Sequence, residues 1–317
     1  MGFTDCRFMF NRGHWKKIID QPEGNPEVSP YKVVGDENTY TTDWLTDKTI
    51  EFIKTDRAKP FFFMVSLPDP HTPFTVREPY MSMYKPEAMV VPNTFVRTPA
   101  SRRRRTSTEE QLRKNKAHYC GLVKCIDDNV GRILAALREK HILDDTIIVF
   151  TTDHGEYMGE HGLYGKNQWY RTAYQIPCLL RWPKKIPPGT VVQHFVTNVD
   201  VQQTLLGLIG ITPCGREQGR DASALLQGKN VPWIDEAMIH HSTLQSAGIF
   251  TPTYELVLKA DGNHMLFDRA RDPEQTKNLY NQADCKDVVT QLTKRIIRHN
   301  VSVGAPAVSW LTHEHGV

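Results

Sequence analysis

Residues 146–166, TIIVFTTDHGEYMGEHGLYGK, decide the fold that this sequence predicts. The stretch opens with IIVF at residues 147–150, an uninterrupted β-branched and aromatic run that predicts a strand covered on both faces, as in parallel sheets. Asp153 and His154 follow where that strand would end. Because ligands collect at the carboxyl ends of strands in open α/β sheets, the stretch predicts an α/β protein with a functional site at this edge.

The loop after this strand is rich in glycine and ends in Lys166. Glycines let the loop fold back over the sheet edge, so we expect the Lys166 cation to reach the same site as Asp153 and His154. An Asp153 oxygen suits a hard cation, whereas His154 by itself favours a transition metal. In the structural alternative, Asp153 caps the next segment and His154 packs under the loop.

A second apolar run, FFFMVSL at residues 61–67, predicts another buried strand. It leads into PDPHTPF at residues 68–74, where three prolines stiffen the chain around His71. A rigidly held hydrogen-bond donor acts well on developing charge, because it need not reorganise. His71 and Asp153 each follow a predicted strand, and if both strand ends lie at one edge of the sheet, His71 would converge with Asp153 and Lys166 on one pocket. The alternative is a histidine satisfied by local backbone groups.

Composition sets broad limits on the function. The 317 residues carry a formal net charge of +3, with 39% hydrophobic and 24% charged residues, as is ordinary for a globular protein. That charge is too small to indicate a nucleic-acid partner, and no apolar run approaches the length of a membrane span. The six cysteines lack metal-type spacing and do not establish an oxidising compartment.

The remaining periodicity divides the chain into a large and a small domain. Apolar residues at helical spacing predict helices at residues 42–54, 119–137, 198–211 and 288–297, and a third apolar strand is predicted at residues 176–183. From about residue 232, short alternating runs separated by turn residues predict a small antiparallel sheet. We therefore predict an α/β domain over residues 1–231 and a C-terminal α+β subdomain over residues 232–317.

Two motifs carry a resemblance to a known family. DHGE at residues 153–156 with GEHGLYGK at residues 159–166 resembles the metal-and-substrate segment of the sulfatase family, within the alkaline-phosphatase-like superfamily. The proline-rich turn at His71 and the run from Leu266 to Leu279 are similar to family sequences as well. The resemblance implies an alkaline-phosphatase-like sandwich, with a mixed, mostly parallel sheet flanked by helices.

The resemblance also implies a reaction and its residues. It implies a sulfuric ester hydrolase in which Asp153 and His154 bind one divalent cation, usually Ca²⁺. Lys166 and His71 would bind the sulfate and serve as catalytic residues. The expected substrate is a sulfated small molecule or a sulfated polysaccharide.

Some family features are not found in these residues. The family nucleophile is a formylglycine made within a Cys/Ser-x-Pro-x-Arg motif, and no cysteine here fits it. The family's Asp-Asp metal pair and Gly-Lys-Trp-His segment are absent too, so the chain resembles the part downstream of the formylglycine motif, with the N-terminal part of the fold missing. We therefore expect exposed strand edges, an incomplete metal shell and no appreciable sulfatase activity of this polypeptide alone.

The sequence allows three interpretations of the function. The leading one is a truncated sulfatase; a phosphate or phosphonate ester hydrolase of the same superfamily is the second. The third is a non-catalytic chain that binds a sulfated ligand through His71, Lys166 and the arginines at residues 102–105, although such a charge run is most simply a solvated loop. Family members are commonly periplasmic, secreted or lysosomal, but no signal-like segment follows Met1, and the sequence sets no localisation.

Overall fold

The computed structural model describes residues 14–19, 27–28, 33–95, 108–240, 245–304 and 310–311. The chain forms two compact units, the first comprising Met1–Thr146 and Met158–Tyr164, the second Ile147–Tyr157 and Gly165–Val317. The predicted division into domains between residues 231 and 232 stays a prediction.

The first unit is mainly helical. Its elements are β1 (Ile18–Ile19), β2 (Glu27–Val28), α1 (Thr41–Lys54), α2 (Tyr80–Met83) and α3 (Glu109–Glu139), with 3-10 turns at Pro86–Ala88, Leu143–Asp145 and Glu160–Gly162. The α3 helix begins where the Thr108 hydroxyl accepts the Gln111 N–H at 3.1 Å, a side-chain cap. Its apolar stripe packs into a core that contains Leu122 and Cys125, so the predicted amphipathic helix is confirmed.

The predicted buried strand at residues 61–67 is wrong. This segment is in no strand, and Phe62 and Met64 are 69% and 64% exposed. The segment instead contacts α1, where the Phe63 ring lies 4.2 Å from that of Phe52, and Leu67 packs against a small core cluster. An apolar run forms a buried strand only when neighbouring strands pair with its edges and other elements cover its faces, and no strand among the described residues pairs with this run.

The second unit begins with a two-stranded ribbon. β3 (Ile148–Thr151) pairs antiparallel with β4 (Cys178–Arg181), in a register that places Phe150 opposite Leu179. These two side chains are 37% and 65% exposed, so the prediction of strands covered on both faces is wrong here. The ribbon has no third strand among the described residues, and its apolar face is therefore left open.

The rest of the second unit holds the predicted small sheet. After α4 (Arg171–Tyr174), α5 (Asn198–Ile209) and α6 (Ser223–Leu226) come four strands and a longer helix: β5 (Ala237–His240), β6 (Ser246–Phe250), β7 (Tyr254–Lys259), β8 (Met265–Asp268) and α7 (Lys286–Ser302). The strands form an antiparallel meander in the order β5-β6-β7-β8. Inward residues of the sheet and the apolar stripe of α7 share one core, which includes Ile249, Leu256 and Ile296.

The pairing of strands differs from one prediction. Every ladder among the described residues is antiparallel, so the mostly parallel sheet that we expected is not seen in this part of the chain. None of the described helices combines the length and the apolar character needed to cross a bilayer.

Asp200 ties α5 to the segment that follows, and its ionisation should make stability depend on pH. Its side chain is 3% exposed, accepts the Thr197 N–H at 2.8 Å and lies 2.9 Å from the Arg220 guanidinium. Burial by itself would raise the pKa of Asp200, but these hydrogen bonds and the Arg220 charge outweigh it and hold the pKa below its usual range.

We expect the free energy of unfolding of Asp200→Asn to fall less steeply at acidic pH than that of the native chain. A carboxylate whose folded-state pKa is depressed stabilises the fold above its unfolded pKa of about 3.9, and the stabilisation is lost as the pH falls through the folded value. The difference in unfolding free energy between the native chain and the variant should therefore shrink between pH 7 and pH 3 in urea titrations. Asp287→Asn, at an exposed carboxylate, is the control; a difference that is constant with pH would contradict the assignment.

Candidate functional site

Asp153 and His154 lie directly after β3, at the end of the strand where they were predicted. The Asp153 side chain is 80% exposed, and its Oδ2 lies 3.4 Å from His154 Nε2. The His154 backbone N–H donates to Asp153 Oδ1 at 2.9 Å. His154 Nδ1 lies 2.8 Å from the Gly155 carbonyl, which can only accept, so the proton of the neutral ring sits on Nδ1 and leaves Nε2 with its lone pair.

Gly155 fixes the turn against α4. Its N–H donates to the Ala173 carbonyl at 2.8 Å, and a β-carbon at this position would lie 1.8 Å from the Thr172 carbonyl oxygen. Only glycine permits that approach of two backbones. The glycine after Asp153 and His154 is thus required by packing as well as by loop geometry.

Lys166 is held on both sides by the residues that follow His154. The Glu156 carboxylate accepts the Gly165 N–H, and the Tyr157 N–H donates to the Gly165 carbonyl at 3.2 Å. The buried Tyr157 hydroxyl bonds the backbone N–H and carbonyl of Gln168, both at 2.6 Å. Lys166 itself is partly exposed. The structure therefore joins the Asp153–His154 turn to the Lys166 loop within the second unit.

His71 lies in the first unit, in the predicted proline-rich turn. Its Nδ1 lies 2.9 Å from the Thr72 carbonyl, and its ring stacks on His14 with centroids 3.4 Å apart. Its own carbonyl accepts from Lys16 Nζ at 3.2 Å. The convergence of His71 with Asp153 and Lys166 on one pocket stays a prediction.

A buried polar cluster that the sequence did not reveal supports this turn. The Lys16 ammonium pairs with the Asp69 carboxylate, and both side chains are fully buried. The hydroxyls of Tyr40 and Thr42 each donate to the same carboxylate at 2.6 Å. Burial, and next the Asp69 charge, raise the pKa of Tyr40, which keeps its hydroxyl protonated as a donor.

A second unpredicted network holds the segment after Lys166. Gln275 Oε1 accepts the Arg171 N–H at 2.6 Å, and its Nε2 donates to the buried Glu255 carboxylate at 2.7 Å. The same Nε2 lies 3.4 Å from the Trp169 carbonyl. The turn at Asp272 positions Gln275, because the Asp272 carboxylate accepts the N–H groups of residues 276 and 277. Asp272 thus serves the turn, as predicted.

The predicted metal site has only two candidate ligands among the described residues, Asp153 and His154. Among the described residues, no group of three or more His, Cys, Asp or Glu side chains is arranged to hold a metal ion. Asp127 and Asp128, a carboxylate pair in α3, have structural partners: Lys124 pairs with both, and the Tyr80 hydroxyl donates to Asp128 at 3.0 Å. The arginines at residues 102–105 lie outside the described residues.

Comparison with protein-family models identifies the family to which this chain belongs. Residues 5–211 match the family model described as sulfatase, and residues 159–302 match that described as N-sulphoglucosamine sulphohydrolase, C-terminal. The first match covers more than half of the chain. The chain belongs to the sulfatase family. The resemblance drawn from the Asp-His-Gly and Gly-Lys motifs is thereby confirmed at the level of the family.

One sequence relative and one solved structure illustrate what this chain is similar to. The chain is 28% identical over 280 residues to an arylsulfatase of Clostridium perfringens, covering 83% of this chain and 58% of that protein. It thus spans little more than half the length of that relative. A structure in complex with its substrate D-glucosamine-2-N,6-O-disulfate superposes with a TM-score of 0.76, at 21% identity over 94% of this chain and 75% of the other.

A phosphonate hydrolase has the same fold. The phosphonate monoester hydrolase of Silicibacter pomeroyi gives a TM-score of 0.75, at 23% identity over 94% of this chain and 67% of the other. These likenesses confirm the predicted α/β, alkaline-phosphatase-like fold.

Proposed function

We propose that this sulfatase-family chain carries the sulfate- and metal-binding part of a sulfuric ester hydrolase. The observation that carries the proposal is the set of hydrogen bonds from Glu156 and Tyr157 to Gly165 and Gln168, which join the segment after His154 to the backbone on either side of Lys166. Sulfate ester hydrolysis develops negative charge on oxygen, and fixed cations stabilise such charge. His71 is the fourth residue of the proposed site.

The Asp153–His154 pair fits one divalent cation. The 3.4 Å between Asp153 Oδ2 and His154 Nε2 equals the separation of two ligand atoms at right angles, each about 2.4 Å from one cation. The proton on Nδ1 leaves Nε2 available as a ligand. We propose Ca²⁺ as the ion. When bound, it would polarise the sulfate oxygens as a Lewis acid.

Lys166 and His71 would act on the sulfate itself. The Lys166 ammonium can donate up to three hydrogen bonds and carries the charge that a sulfate oxygen requires. His71 Nδ1 lies against the Thr72 carbonyl, so Nε2 is the ring nitrogen left for the sulfate, and it donates an N–H in the imidazolium form. No residue matches the nucleophile motif, so we expect this 317-residue polypeptide alone to bind aryl sulfates without turning them over.

Binding of 4-nitrocatechol sulfate to the full chain tests the proposal. We expect Lys166→Ala to weaken binding about 10- to 100-fold, because a hydrogen bond to a charged group is lost, and Lys229→Ala, at an exposed lysine of the same unit, to leave it unchanged. Titration calorimetry with and without Ca²⁺ measures both the affinity and the metal dependence. Equal affinities of the two variants would contradict the sulfate site. Turnover above that of Lys166→Ala would contradict the expected inactivity.

The likeness to a phosphonate monoester hydrolase supports a second candidate, a phosphate or phosphonate ester hydrolase. Competition between 4-nitrocatechol sulfate and phenyl phosphonate on the same chain separates the two, since the better ligand identifies the preferred anion. A third possibility, a non-catalytic binder of sulfated polysaccharide, would give salt-sensitive binding to that polymer in place of the aryl sulfate.

A further inference from the structure

A polar cleft opens one residue beyond Lys166, within the second unit. Residues 167–169 form one wall, and the facing ends of β6 and β7 form the other, at Gln245–Ser246 and Lys259–Asp261. Ser246 and Lys259 are direct partners in the β6–β7 ladder, and the Ala260 N–H donates to the Gln245 carbonyl at 2.9 Å. The cleft has a volume of ≈ 430 Å³, within the range of small-molecule sites.

The base of the cleft is rigid. Trp169 is 6% exposed, its ring stacks with that of Phe250, and its indole N–H donates to the Ser246 hydroxyl at 2.9 Å. A β-carbon on Gly248 would lie 2.8 Å from the Trp169 ring, so the ring is closely packed from below. The backbone around the cleft is therefore formed before any ligand arrives, which limits the entropy lost on binding.

The lining is polar, and its charges balance. Asn167, Gln168 and Gln245 contribute exposed side-chain amides, each of which can donate and accept. The two charged groups, Lys259 and Asp261, have opposite signs. Burial lowers the pKa of Lys259 while the Asp261 charge opposes that shift, and hydrogen bonds from Asn263 lower the pKa of Asp261. An anionic group of the substrate other than the sulfate would therefore gain no net attraction from this lining.

This chemistry discriminates between classes of ligand. An aromatic leaving group would be recognised by mainly apolar walls, and in this cleft the polar part of the lining is larger than the apolar part. Hydroxyl groups, which donate and accept, match side-chain amides that do the same. We propose that the cleft binds a neutral, hydroxyl-rich sugar ring next to the sulfated group of the substrate. That a sulfated group lies next to this ring rests on the proposed function. Binding of a neutral ring in the cleft does not.

Titration of the full chain with neutral disaccharides tests the inference. Lactose, cellobiose and N-acetyllactosamine are the probes, each followed by backbone amide resonances of Gln245, Ser246 and Ala260 up to about 100 mM. We expect at least one disaccharide to shift these resonances with millimolar affinity. The Gln168→Ala/Gln245→Ala double variant should weaken that binding about fivefold or more, and Gln291→Ala, at an exposed amide of α7, should not change it.

The outcomes separate this inference from the proposed function. The inference would be overturned if no disaccharide shifted any of the three resonances. It would also be overturned if the double variant bound the disaccharides as tightly as the native chain. Shifts caused by 4-nitrophenyl sulfate alone would overturn it too, since the cleft would then take aryl groups. Lys166→Ala should bind the neutral disaccharides as the native chain does. Loss of aryl sulfate binding in that variant concerns only the sulfate site.

Discussion

Replacing Lys16 with methionine is expected to lower the free energy of unfolding by about 3–5 kcal/mol. The Lys16 and Asp69 side chains are fully buried, so the variant would leave the Asp69 carboxylate in the interior without its counter-charge. Two hydroxyl donors, from Tyr40 and Thr42, would remain, but neither is charged. Urea titration followed by tryptophan fluorescence measures the change.

Two variants make this expectation specific. Lys16→Met/Asp69→Asn should recover much of the loss, since it removes the buried charge while keeping an oxygen for the two hydroxyls. Lys54→Met is the matched control, because Lys54 and Glu139 are 57% and 72% exposed at 3.7 Å, and it should change stability by less than about 1 kcal/mol. A loss at Lys16 no larger than that at Lys54 would show that the pair is not buried in solution.

Arg269→Leu is expected to cost a similar amount, about 3–5 kcal/mol. Arg269 pairs with Glu255, whose side chain is 1% exposed, and the Tyr174 hydroxyl donates to the same carboxylate at 2.6 Å. Burial, followed by the Glu255 charge, raises the pKa of Tyr174, so the hydroxyl stays a donor at neutral pH. Without Arg269, the network would hold an uncompensated buried charge.

The exposed Arg271 provides the control for this variant. Arg271→Leu removes the same side-chain type two positions away and should leave the unfolding midpoint in urea almost unchanged. Arg269→Leu/Glu255→Gln should be more stable than Arg269→Leu alone, because the remaining amide is neutral. If the double variant were the less stable of the two, the loss in Arg269→Leu would come from packing of its side chain.

The helices and the meander were predictable because their signal is local. Apolar residues recur every three or four positions in α1, α3, α5 and α7, and short apolar runs between turn residues mark the strands β5 to β8, so each element is visible in its own sequence. The Asp153–His154 turn was placed for the same reason, since a short apolar run ends just before it. Neither inference needed information about distant residues.

The features that the sequence predicted wrongly or did not reveal share one physical cause, which is that they depend on distant segments. Whether an apolar run such as residues 61–67 is buried depends on which segments cover it, and no local pattern states that. Phe150 and Leu179 show the same error in β3 and β4. Lys16 and Asp69 stand 53 positions apart, so their pairing left no periodic trace.

The bonds from Gln275 to Trp169 and Arg171 change how variation in this family should be weighed. A replacement in the Asp272 turn would be transmitted to the residues that carry Lys166, although it lies about a hundred positions downstream in the chain. Surveys that compare only the Asp-His-Gly and Gly-Lys motifs would score such a chain as intact. The distant turn should be compared together with residues 153–166.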